Sequence, residues 1–135
     1  MLIAIPLLII PVALYNILVL TGGVGQADAL LNDPLFSVTM TSGAQWSVSW
    51  GDLILFVGLI LLFFELIKST SSQRIAIVNH ALSMVLFIAV LIEFLLMQGF
   101  ATSTFFLIVV MILLDVLAGF IVTIIASRKD FDFGN

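Results

Sequence analysis

Four stretches of this chain are nearly free of charge, and each approaches the roughly 20 residues that a helix needs to cross a bilayer. They run over about 2–20, 51–67, 75–97 and 102–126. Helix is the local structure open to them, because a lone strand leaves its backbone polar groups unpaired in lipid. Composition points the same way. Of the 135 residues, 63% are hydrophobic and 9% are charged, whereas a soluble domain carries about 25% charge. A soluble fold of this size keeps about a third of its chain's surface in water and could not hide so much apolar area. These figures exclude a soluble enzyme, a disordered tail and a nucleic-acid binder built on a basic patch. The expectation is an all-α integral membrane protein: a single membrane domain over 1–135, in contact with the lipid bilayer, with one sizeable external segment at 21–50.

The basic residues give that expectation a direction. Lys68 and Arg74 bracket the link between the second and third runs, and Arg128 and Lys129 follow the fourth. The links 21–50 and 98–101 contain neither Lys nor Arg. The positive-inside rule therefore predicts a multi-pass protein with both termini and the Lys68–Arg74 turn in the cytoplasm. Gly25 and Ala27 would suit a signal-peptidase site. Against cleavage, no Lys or Arg precedes the first run, and that run exceeds the ~7–15 residues of a signal core.

Local signals refine the elements. Pro6 and Pro11 each remove a helical N–H and are expected to kink the first span. Gly22, Gly23 and Gly25 break the helix, and Asn32-Asp33-Pro34 marks a turn. Phe36, Val38 and Met40 alternate with Ser37 and Thr39, and Trp46, Val48 and Trp50 alternate with Ser47 and Ser49, on either side of a Gly-containing turn. That period of two fits a β-hairpin on the outer membrane boundary. An irregular loop with Trp46 and Trp50 as interfacial anchors fits as well. Asp52 is expected to cap the second span, Ser71 or Ser72 the third, and Thr102 or Ser103 the fourth.

Within so apolar a chain, each polar residue needs a reason. Asp115 falls about 20 Å below the outer end of the fourth span, near mid-bilayer. No Lys or Arg lies within any span to pair with it. It is read as a protonatable or ion-binding carboxylate or, more plainly, as an interhelical hydrogen bond that fixes packing. Gly119 and Thr123 share its helix face and suit close helix contact. Glu93 and Asn16 belong to the outer part, where Glu93 can reach water with the help of Gln98. Glu65 stands three residues before Lys68, a spacing that permits an ion pair. His80 lies at similar inner depth, near Asn79 and Ser83, and can hydrogen-bond Glu65. By residue count Asp115 differs from Glu93 by about 12 Å in height and from His80 by about 9 Å, so neither pair is expected to touch directly. A water-bridged path from Glu93 through Asp115 to His80 and Glu65 is the relay these positions allow.

Other chemistries lack their parts. The chain has no Cys and a single His, so no metal site is expected. Ser83 has no Gly-x-Ser-x-Gly turn, one deep acid does not make an aspartyl pair, and Gly22-Gly23-Val24-Gly25 lacks the lysine of a P-loop. An enzyme is not expected. The stretch from Thr102-Ser103-Thr104-Phe105-Phe106 through Leu114-Asp115-Val116 resembles small four-span proteins of the bacterial inner membrane, a likeness extending over about half of the chain. That resemblance implies architecture and location, and no activity. The expected function is that of an accessory or scaffold subunit of a larger membrane complex. The alternative is a homo-oligomeric transporter or channel that moves protons, cations or a small solute by way of Asp115 and Glu93. Haem or pigment binding through His80 is the third reading, and otherwise no cofactor is expected.

Overall fold

A computed structural model describes residues 5–70 and 73–132. Among the described residues three helices are long and apolar enough to cross a membrane: α3 (Trp50–Ser69), α4 (Gln73–Leu96) and α5 (Ser103–Asp132). The first apolar run behaves differently. Its helix α1 (Ile9–Gly22) has 14 residues, a rise of about 21 Å, which is short of a hydrocarbon core of about 30 Å. At Gly23 the chain bends through 107° into one 3-10 turn and a short helix, α2 (Ala27–Asn32). Four expected spans thus become three straight helices and one broken one. The chain is a membrane-embedded helical protein.

The break sits at the glycines rather than at the prolines. Pro6 precedes α1, and Pro11 is the third residue of that helix. N–H groups in a first helical turn have no partner within the helix, so Pro11 removes no bond there and the expected kink does not form. Gly23 takes φ 102, a conformation open to glycine and costly for a side-chain residue.

The segment between α1 and α3 does contain a hairpin, so the fold is mainly helical with a small sheet. Strand β1 (Pro34–Thr39) pairs antiparallel with β2 (Gln45–Ser49), with Phe36 opposite Val48 and Val38 opposite Trp46. Met40 and Ala44 close the turn, and Gly43 at φ 85 supplies the left-handed residue of a three-residue loop. β2 runs straight into α3 through a reciprocal cap. Ser49 Oγ accepts from the Asp52 N–H, and the Asp52 carboxylate accepts from the Ser49 N–H at 2.9 Å. Asp52 therefore stands at the third helical position and Ser49 is the N-cap. Thr102 caps α5 by accepting from the Phe105 N–H at 3.2 Å. Ser71 and Ser72 lie outside the described residues.

α5 is the central helix, with α3 and α4 packed on it and α1 beside α3. At the hairpin end the core is aromatic. Tyr15 donates to the Gly99 carbonyl at 2.8 Å and meets Thr102 Oγ1 at 2.6 Å, while its ring packs on Phe100 and Phe105. A hydroxyl has one proton, so Tyr15 gives its own to Gly99 and Thr102 donates to Tyr15. These contacts pin α1 to the link between α4 and α5.

Candidate functional site

Inward-facing polar side chains gather in one seam towards the opposite end of the bundle, the end that carries Lys68, Arg128 and Lys129. Helical spacing puts them there. α3 buries Gly51, Ile54, Gly58, Leu62, Glu65 and Ser69, a stripe in steps of three and four residues. α4 buries Asn79 and Ser83, four residues apart, and α5 buries Asp115 and Gly119, again four apart.

Glu65 is fully buried at 0% exposure. Its Oε1 accepts from Lys68 Nζ at 2.8 Å and from the Leu7 backbone N–H, and its Oε2 accepts from Asn79 Nδ2 at 3.0 Å. Lys68 Nζ also donates to the Ile5 carbonyl at 2.8 Å. The non-helical segment ahead of α1 is thus held by the ion pair of α3. Backbone groups that leave a helix inside a membrane protein need such partners. The pair in turn needs the extra bonds, because the Coulomb attraction of two buried charges does not by itself offset their lost hydration.

Asp115 is 3% exposed and accepts from Ser83 Oγ at 2.7 Å. From one face of α4, then, Asn79 holds Glu65 of α3 while Ser83 holds Asp115 of α5. Sequence reasoning allowed His80 a hydrogen bond to Glu65, and its neighbour Asn79 makes that bond. His80 instead lies against Gly119, where an added Cβ would stand 2.5 Å from Nδ1. Gly119 is a helix contact because only a glycine leaves room for the imidazole. Thr123 Oγ1 donates back to the Gly119 carbonyl at 2.8 Å.

Asn79, His80, Asp115, Gly119 and Thr123, with Ser69, border a cavity of about 20 Å³, enough for one water molecule. Two buried atoms of these residues, Asn79 Oδ1 and His80 Nδ1, have no hydrogen-bond partner among the described residues. A larger cavity of about 380 Å³ extends towards Ala126 and Ser127 and shares Ser69, Ala76, Val122 and Thr123 as walls. The small cavity therefore adjoins a wider opening at the basic end. Residue counting separated His80 from Asp115 by height, yet both border one cavity. Counting along upright helices ignores helix tilt and side-chain reach.

Other candidates fall elsewhere. Glu93 accepts from Asn16 Nδ2 at 3.3 Å, and Asn16 also donates to the Val12 carbonyl at 3.0 Å. This second polar pair ties α4 to α1. Between its level and that of Asp115 stand Val90, Ile108 and Ile112, each at 0% exposure. Trp46 and Trp50 are exposed at the hairpin end, 55% and 40% respectively. Among the described residues no group of three or more His, Asp or Glu side chains is placed to hold a metal ion. No protein-family model matches the chain, and neither a curated protein nor a solved structure matches it. Asn79 and Ser83 are the site residues that sequence reasoning noticed without assigning. Their four-residue spacing was the available signal.

Proposed function

We propose that this protein holds a proton or a small cation at Asp115 in the course of moving it through the membrane, with access from the basic end. The observation that carries this reading is convergence: Asp115, a buried carboxylate, borders one cavity with Asn79 and His80, each of which carries a buried polar atom without a partner among the described residues, and that cavity adjoins an opening. An acid at mid-membrane costs roughly 2.5–3.5 kcal/mol on insertion scales, and such residues mark ion and proton paths. A purely structural bond to Ser83 needs neither an acid nor two idle polar atoms beside it. The partition of Lys and Arg supports a cytoplasmic basic end in a bacterial inner membrane. Of the two carboxylates first considered for transport, the reading keeps Asp115. Glu93 is separated from it by the apolar layer of Val90, Ile108 and Ile112, so release to the other side requires a second conformation.

Flux across liposomes tests the proposal. Vesicles carrying the protein should dissipate an imposed pH or sodium gradient, and Asp115→Asn should reduce the rate at least tenfold. Equal rates for the two proteins would sink it.

One observation favours a second reading, the accessory or scaffold subunit. α4 packs mainly on α5 and leaves Ile77, Val85, Ile88 and Leu95 facing outward. That face has room for another membrane protein, a second copy of this chain, or lipid. Mild extraction followed by native mass spectrometry separates these cases. A fixed set of other membrane proteins supports the subunit role, and a homo-oligomer alone counts against it.

A further inference from the structure

We infer that the cavity between His80 and Asp115 holds a water molecule and that the ion handled there is a proton, exchanged between these two side chains through that water. This rests on the reading of Asp115 as an ion-holding group and names the ion.

The argument starts from donors and acceptors. Asn79 directs its amide N–H to Glu65, which turns Oδ1 towards the cavity side as an acceptor. The hydroxyls near it have each placed their single proton elsewhere: Ser69 on the Leu66 carbonyl, Ser83 on Asp115, Thr123 on the Gly119 carbonyl. So Asn79 Oδ1 lacks a donor, and His80 Nδ1 has no hydrogen-bond partner of either kind, among the described residues. A buried polar atom without a partner costs about 1–3 kcal/mol. One water brings two donors, and a cavity of about 20 Å³ has room for it.

Ligand chemistry then selects the ion. Hard cations such as Mg²⁺ or Ca²⁺ prefer a shell of oxygens, and one wall of this cavity is an imidazole nitrogen. A transition metal accepts imidazole but wants further His, Asp or Glu ligands, and no such group exists among the described residues. A proton suits what is present. The protonated Asp115 carboxyl gives its proton to the water as the water gives one of its own to His80 Nδ1. The neutral acid and neutral imidazole become carboxylate and imidazolium, and no further reactant is needed. From α3 the seam faces Glu65 and Lys68, which pair with each other at 2.8 Å. From α5 it faces Asp115, and Arg128 and Lys129 stand further out along the same helix.

His80 is the only histidine, so ¹⁵N-histidine labelling gives a single imidazole in solid-state NMR of the full chain in bilayers. Nδ1 should show an exchange cross-peak with water. In Asp115→Asn, which has no carboxyl proton to give, exchange between Nδ1 and water should slow at least tenfold. Glu93→Gln should leave that exchange unchanged, and Gly119→Ala should erase the water cross-peak by adding a methyl beside the imidazole. Should Asp115→Asn not fold, wild-type protein with labelled Asp carboxyls serves instead: an exchange cross-peak should join the Asp115 carboxyl to water as well. Absence of water contact at Nδ1, unchanged exchange in Asp115→Asn, or a shift of the His80 signals on adding sodium at fixed pH would each overturn the inference. The two proposals fail separately. Unchanged flux in Asp115→Asn removes transport while the NMR result stands, and a negative NMR result beside lost flux removes the proton pair alone.

Discussion

Glu65 sits where three parts of the chain need an acceptor: the backbone ahead of α1, the Lys68 ammonium and the Asn79 amide. Its removal should therefore cost more than the loss of a simple ion pair. Glu65→Ala is expected to destabilise the protein by about 3–5 kcal/mol, the range for breaking a buried pair. Glu65→Gln keeps an acceptor for Leu7 and should cost clearly less; thermal unfolding in detergent orders the two. At Asp115, Ser83→Ala removes a hydroxyl donor and should cost about 1–3 kcal/mol. Much of that loss should vanish in an Asp115→Asn background, where no carboxylate needs the donor. A double-mutant cycle should return a coupling of at least about 0.5 kcal/mol, and additivity would mean the bond is energetically idle. The Glu65–Lys68 pair was legible from spacing alone. Its grip on Ile5 and Leu7 was not, since nothing local says that a backbone segment some 60 residues earlier lies non-helical against it.

The helices differ in how closely they tolerate one another, and two glycines measure the difference. At Gly119 an added methyl meets His80 Nδ1 at 2.5 Å, in a ring with little freedom to retreat. Gly119→Ala should cost about 1–3 kcal/mol as overpacking. At Gly58 the nearest atom is Met111 Sδ at 3.0 Å. Methionine is flexible, and alanine gains about 1 kcal/mol of helix propensity over glycine. Gly58→Ala should thus change stability little, and a loss as large as that of Gly119→Ala would show that α3 and α5 are packed as rigidly as α4 and α5. The Thr102 cap of α5 was readable in advance because such a side chain acts within a few residues of itself, and at α3 the same local signal was off by three residues, with Ser49 as cap and Asp52 at the third helical position. The span count was less so. Hydropathy registers an apolar run, and it does not register that Gly23 turns that run through 107°.

For the protein as a unit, orientation is the property most easily checked. The chain lacks cysteine, so single-cysteine variants carry no background. Ser42→Cys in the hairpin turn should react with a membrane-impermeant maleimide in intact cells. Ser127→Cys, at the basic end, should react only after permeabilisation. Labelling of both from outside would refute the orientation read from the Lys and Arg partition. That orientation rests on charge placement, which acts through the whole membrane and needs no knowledge of packing. How α4 meets α5 was not legible in the sequence, because lipid and protein are equally apolar neighbours for its side chains.

The shortness of α1 has a consequence for the lipid itself. One flank of the protein presents a helix of 14 residues, about 21 Å along its axis. α5 counts 27 residues from Ser103 to Lys129, or about 40 Å, with Arg128 and Lys129 at its end. Upright, the two helices differ in length by nearly twofold. Lipids beside α1 are expected to thin and α5 to lean, at fractions of a kcal/mol per Å of mismatch. Bilayers of graded acyl-chain length should therefore change the tilt of α5 more than that of α3, a helix of 20 residues.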